Sequence, residues 1–192
     1  MLFRSLAVKG TVTAENIAGG ICVDNYGTIY GCSFEGTVTA YRYAGGICGT
    51  NDANGTISSC YAIATITSTS NGITGGIAGR SGYEYKNIKE TDTSNTSIQC
   101  CYFAGTVTSD NKGEVVGPII GKSGGGGANS CLYNSDLYTK EASKGQGVTT
   151  ENLCKQAPSN AFEKGTYSKP TADPDNGRMR TVEYSYPRLK EG

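Results

Sequence analysis

From Cys32 onward, every second residue is apolar or small: Cys32, Phe34, Gly36, Val38, Ala40. The same alternation recurs at Cys60, Ala62, Ala64, Ile66, Ser68 and at Cys101, Phe103, Gly105, Val107, Ser109. It extends backwards to Leu6, Val8, Gly10, Val12, Ala14 and forwards to Cys131, Tyr133, Ser135, Leu137, Thr139. Period two predicts strands with one buried face. The intervening residues, including Lys9, Thr11, Thr13, Glu35, Thr37 and Thr39, are polar and face solvent.

These strands belong to a repeat with three linked motifs. A G-T-I-x-x-C element occurs at Gly27-Thr28-Ile29 with Cys32 and at Gly55-Thr56-Ile57 with Cys60, with weaker copies at Ile98/Cys101 and Ala128/Cys131. A T-[VI]-T element centres on Val12, Val38, Ile66 and Val107, with a degenerate copy at Leu137, at spacings of 26, 28, 41 and 30 residues. A G-G-I element occurs at Gly19-Gly20-Ile21, Gly45-Gly46-Ile47 and Gly75-Gly76-Ile77, and in altered form at Gly117-Pro118-Ile119. The long third spacing holds an insertion over residues 80–96. One such unit cannot bury its apolar face alone, so units must stack as parallel neighbours.

The expected fold is therefore an all-β, right-handed parallel β-helix (β-solenoid) with three strands per coil and about five coils. It occupies residues 1–139, and residues 140–192 form a small C-terminal cap. In the cap, Thr149 or Thr150 N-caps a short helix with Glu151 in its first turn. Leu153, Ala157 and Phe162 face the last coil, Pro170–Gly177 is a loop, and Thr181–Tyr186 is a final strand. Aligning Leu6 with Cys32 puts Phe3 at the Ile29 position, so the sequence starts mid-repeat. Further repeat coils or a partner subunit are expected at that N-terminal edge.

The repeats resemble those of the GLUG-motif repeat proteins, whose Gly-Leu-any-Gly element corresponds to Gly46-Ile47-Cys48-Gly49 and Gly76-Ile77-Ala78-Gly79. Pro118-Ile119-Ile120-Gly121 is a partial copy, and Gly20-Ile21-Cys22-Val23 lacks the last glycine. The strand starts Ser59-Cys60-Tyr61 and Cys100-Cys101-Tyr102-Phe103 are similar to that family's, as are Thr149–Leu153 and Tyr186-Pro187-Arg188-Leu189 to its tail. The resemblance implies a secreted or surface protein in which such units serve as scaffold or stalk.

Composition narrows the chemistry. The chain has 192 residues, 17 basic and 17 acidic side chains, 28 glycines, 13 tyrosines, 8 cysteines, and neither histidine nor tryptophan. Zero net charge argues against a nucleic-acid partner. Without histidine there is no Ser–His or Cys–His nucleophile and no His-containing zinc site. No apolar run is long enough to span a bilayer, and MLFRSLAVKG does not read as a signal peptide.

Cys32, Cys60, Cys101 and Cys131 fall in one inward column, and Cys22 and Cys48 in a second. Coil spacing leaves a bridge open, while repeat register favours packing as small hydrophobes. Without a C-x-x-C pair, no metal site is expected. Gly121-Lys122-Ser123 imitates the end of a phosphate loop, but Val116 stands where the required glycine belongs. Two outward files, Thr11, Thr37, Thr65, Thr106 and Thr13, Thr39, Thr67, Thr108, form a T-x-T grid. Such a grid suits ice binding, although threonine is also an ordinary solvent-face strand residue. Tyr41, Tyr43, Tyr83 and Tyr85 form a candidate ligand surface for sugar rings. Before residue 81 the acids are only Glu15, Asp24, Glu35 and Asp52, thin material for a cleft that cleaves polysaccharide.

No catalytic residue or cofactor is assigned. The expected function is a non-enzymatic extracellular or cell-surface scaffold within a larger repeat protein, contributing adhesion to surface glycan or host protein. A glycan-binding or polysaccharide-active module is the alternative, and ice binding a further one.

Overall fold

The computed structural model describes residues 2–82, 95–110, 115–125, 127–140, 142, 144–168 and 183–190. The first unit comprises β1 (Leu2–Arg4), β2 (Ala7–Ala14), β3 (Ile17–Gly19) and β4 (Cys22–Asn25). The second comprises β5 (Thr28–Tyr30), β6 (Ser33–Ala40), β7 (Tyr43–Gly45) and β8 (Cys48–Asn51). The third follows with β9 (Thr56–Ser58), β10 (Tyr61–Ser68), β11 (Ile73–Gly75) and β12 (Ala78–Ser81). The fourth has β13 (Ser97–Gln99), β14 (Tyr102–Ser109), β15 (Val116–Gly117) and β16 (Ile120–Ser123). After these come β17 (Gly127–Asn129), β18 (Leu132–Asn134), β19 (Gln146–Val148), α1 (Thr150–Lys155), β20 (Phe162–Glu163), β21 (Thr166–Tyr167), β22 (Tyr184–Ser185) and β23 (Arg188–Leu189).

Equivalent strands pair in parallel, giving four sheets ordered β1-β5-β9-β13-β17, β2-β6-β10-β14-β18-β19, β3-β7-β11-β15 and β4-β8-β12-β16. This mostly β architecture of parallel sheets is consistent with a β-solenoid. The expected three strands per unit become four. The G-G-I element is not itself a strand: its first glycine ends one strand, and its second glycine and isoleucine form a corner before the next. The corner admits no side chain, because a Cβ on Gly76 would lie 2.0 Å from the Pro118 carbonyl oxygen and 2.4 Å from the Phe103 ring.

A second corner precedes each long strand. Ser5, Gly31, Ser59, Cys100 and Ser130 all have φ between 50° and 59° there, in the left-handed region. The next residue then turns into the core. That placement accounts for Cys100, which occupies a corner while Cys101 joins the inward column.

The core follows the predicted columns from the second unit onward, whereas Leu6, read as inward, is exposed at the edge unit. Ile29, Ile57 and Ile98 stack in register, Val38, Ile66 and Val107 form a second column, and Phe34 and Phe103 fill the space beside the G-G-I corners. The fifth T-[VI]-T copy is not a strand, however. Residues 135–137 turn instead, with the Asp136 N–H donating to Asn134 Oδ1 (2.9 Å), so Leu137 is exposed and Tyr138 enters the core. The long sheet then continues through β19, where Gln146 pairs with Leu132.

The C-terminal segment packs against the side of the long sheet. Tyr61, Tyr102, Ala104 and Leu132 alternate with core residues, and they form a separate cluster with Val148, Leu153, Cys154, Phe162 and Tyr186. Leu153, Phe162 and the adjoining Ala157 thus bury the outward face of several units. Thr149 is the N-cap, its hydroxyl accepting from the Asn152 N–H (3.3 Å). The strap is pinned by the Tyr102 hydroxyl, which donates to the Pro187 carbonyl (2.5 Å), and by an Arg188–Glu35 ion pair.

Candidate functional site

The two threonine files form as read. Thr11, Thr37, Thr65 and Thr106 are register partners, as are Thr13, Thr39, Thr67 and Thr108. All eight are exposed or half-buried. Their hydroxyls lie close enough to bond one another, Thr67 to Thr108 at 3.0 Å and Thr106 to Thr65 at 3.4 Å.

The candidate tyrosines do not assemble into one surface among the described residues. Tyr83 and Tyr85, and most of the 80–96 insertion, lie outside them. Tyr41 is exposed at a turn. Tyr43 is half-buried, with the guanidinium of Arg42 5.0 Å and that of Arg80 5.5 Å from its ring centroid. That ring is engaged by cations within the protein.

The inward cysteines do more than fill space. The Cys60 thiol donates to the Ser58 carbonyl (3.2 Å), and Cys60 Sγ accepts the Cys32 backbone N–H (3.4 Å). Cys101 repeats both contacts, donating to the Gln99 carbonyl (3.1 Å) and accepting the Cys60 N–H (3.4 Å). Sulfur thus satisfies a backbone donor that the corner leaves without a carbonyl. Burial pushes the Cys48 and Cys101 thiols well up, and burial followed by the Asp24 charge raises Cys22 to about 11. These thiols are protonated at neutral pH and are poor nucleophiles.

A polar spine missed by the sequence reading runs along the corner after the fourth sheet. Asn25 donates to Asn51 Oδ1 (2.8 Å), and Asn51 donates to the Gly55 carbonyl (3.1 Å) and to Ser81 Oγ (3.3 Å). Beside it, the Thr50 hydroxyl lies 2.5 Å from Asp24 Oδ1 and 3.0 Å from Asp52 Oδ2, and Arg80 bonds Asp52 Oδ2 at 2.6 Å. Burial pushes the Asp52 carboxyl above the ordinary aspartate value, against the opposing pull of Arg80 and Thr50. Repeated Asn and Asp in the turn motifs were the available signal. Their mutual stacking follows only from the register.

A groove of about 640 Å³ opens where the C-terminal strap meets the first two units. It is lined by Arg4, Ser5, Leu6 and Ala7 of the first unit, by Tyr30, Gly31 and Ser33 of the second with Tyr61 of the third, and by Ala161, Arg188, Leu189 and Lys190 of the C-terminal segment. Its residues come from both ends of the chain, so no local motif announces it.

Among the described residues, no group of three or more His, Cys, Asp or Glu side chains is placed to hold a metal ion. No helix among them is long and apolar enough to cross a membrane.

Residues 40–67 match the family model described as the GLUG motif. The matched stretch runs from the end of β6 through β7, β8 and β9 into β10, one full round of the four sheets. The chain thus carries a GLUG motif within its stacked repeats, consistent with a GLUG-motif repeat protein. No curated protein and no solved structure matches it in the corresponding searches.

Proposed function

We propose that this chain is a non-enzymatic scaffold, a right-handed solenoid of about five coils that forms part of a larger secreted or surface repeat protein and contributes adhesion. The observation that carries this reading is the shared register of side-chain columns across the first four units. Isoleucine, cysteine and asparagine each stack on their counterparts, so each unit holds its neighbour through backbone, core and corner together. Such nearest-neighbour coupling makes a stiff rod whose turns are free to vary.

The same geometry supports a partner at one end. β1, β2, β3 and β4 are each the last strand of their sheets, so one whole unit presents unpaired backbone edges. In our reading, further repeat coils or a partner subunit pair with that edge, which left open is an aggregation hazard.

The test is surface labelling joined to an adhesion assay in the native cell. An antibody against this chain should stain intact, unpermeabilised cells, deletion of the chain should reduce attachment to glycan- or protein-coated surfaces, and the purified protein should turn over no polysaccharide in hydrolase and lyase screens. Staining only after permeabilisation, or measurable polysaccharide cleavage, would overturn the reading.

Ice binding has a specific observation in its favour, namely the eight in-register threonines on one sheet. Measured ice shaping and thermal hysteresis test it, and their absence at high protein concentration ends it.

A further inference from the structure

We propose that the groove between the first two units and the C-terminal strap is a binding site for a carboxylate-bearing oligosaccharide, of the uronic-acid class. The chain as a whole has no net charge, yet this groove is lined by three cations, Arg4, Arg188 and Lys190, and by no carboxylate among the described residues. Its volume falls within the range of small-ligand sites, roughly 300–1,000 Å³.

The cations differ in how they are held. Arg188 is fixed by its ion pair with Glu35, by a 2.7 Å bond to the Tyr61 hydroxyl and by strand pairing of β23 with β20. Arg4 lies with its guanidinium 5.6 Å from the Tyr30 ring centroid. Neither Arg4 nor Lys190 has an ion-pair partner among the described residues, and both are exposed. The groove therefore holds two cations without an ion-pair partner among the described residues, Arg4 beside the Tyr30 ring and Lys190, and a third, Arg188, oriented by Glu35. A planar guanidinium recognises a carboxylate through paired N–H donors.

The rest of the lining favours a sugar over an acidic peptide. Tyr30 is 39% exposed and lies beside the Arg4 guanidinium, which puts an aromatic ring next to a cation, a pairing that suits a pyranose carrying a carboxylate. Ser5 and Gly31 add small polar lining that leaves room for sugar hydroxyl groups. The inference goes beyond the scaffold reading, and the groove is lined by residues of this chain alone.

The test is isothermal titration calorimetry of the whole chain with a linear tetrasaccharide of galacturonic acid, a neutral galactose tetrasaccharide and hexaglutamate. The acidic sugar should bind, weaken with added salt, and lose about tenfold in affinity for each of Arg4→Gln and Lys190→Gln, the loss expected for one charge-assisted hydrogen bond. Tyr30→Ala should weaken it further, while the neutral sugar shows no binding. All three substituted side chains are exposed, and a thermal melt of each variant confirms that the fold is kept. No binding of the acidic sugar, equal binding by the charge variants, or equally tight binding of hexaglutamate would each overturn the proposal.

Discussion

Tyr102→Phe tests the attachment of the C-terminal strap with the smallest possible change. Tyr102 is fully buried on the outward face of β14, its ring stacked on Tyr61 with centroids 5.0 Å apart and tilted against Phe162 at 5.7 Å. Phenylalanine keeps that packing and removes only the hydroxyl that donates to the Pro187 carbonyl. Leaving a buried acceptor without its donor costs about 1–3 kcal/mol. The strap is a separate cluster from the core, so this loss falls on strap opening. Hydrogen exchange by mass spectrometry should show amides in α1, β20 and β23 exchanging about tenfold to a hundredfold faster, with β5–β10 unchanged. Tyr102→Ala also removes the ring and costs about 3–5 kcal/mol, while Tyr41→Phe, at an exposed turn, has no effect. If Tyr102→Phe leaves strap exchange unaltered, or accelerates the core strands equally, the strap is not docked through this bond.

Other positions give sharper contrasts. Gly76→Ala should destabilise by about 1–3 kcal/mol or more in urea unfolding, because the added methyl meets the Pro118 carbonyl and the Phe103 ring. Gly127→Ala, whose nearest neighbour would be 3.8 Å away, should be tolerated. Arg80→Met leaves the Asp52 carboxylate buried and unpaired, a loss of about 3–5 kcal/mol at neutral pH. Asp52 has a raised value in the folded state, so the penalty on its ionised form is full above that value and fades as pH falls from it towards the unfolded aspartate value. The gap to wild type should therefore narrow on acidification, and a pH-independent gap in urea melts would contradict this account. Cys60→Ala should cost about 1–3 kcal/mol, since the Cys32 N–H loses its sulfur acceptor, whereas Cys100→Ser, at the corner, should stay within about 0.5 kcal/mol. Equal losses in the two cysteine variants would refute the separate roles given to column and corner.

The register of the first four units was legible because strand alternation and motif spacing agree: aligning Val12, Val38, Ile66 and Val107 predicts the observed pairing of the long sheet, whereas the degenerate copy at Leu137 misled. The fourth strand was not, because period-two reasoning cannot see a corner made by a glycine with no side chain to assign. The path of the strap was overlooked although a signal existed. Outward positions that are Ala7 and Lys9, then Ser33 and Glu35, become Tyr61 and Ile63, then Tyr102 and Ala104, so the solvent face turns apolar where the strap lies. Threonine and cysteine columns follow directly from register. The cationic groove does not, since Arg4 and Lys190 meet only after the chain has folded back along the sheet.

The central claim, a rod of repeats coupled in register, is tested most directly by pulling on the two ends of the chain in a single-molecule force experiment. A released unit of 26–30 residues frees about 90–100 Å of chain at 3.3–3.6 Å per residue, and the 41-residue spacing that holds the insertion frees about 140 Å. The account predicts resistance broken by extensions of those sizes or sums of them. A featureless extension at low force, or steps unrelated to the unit length, would contradict it.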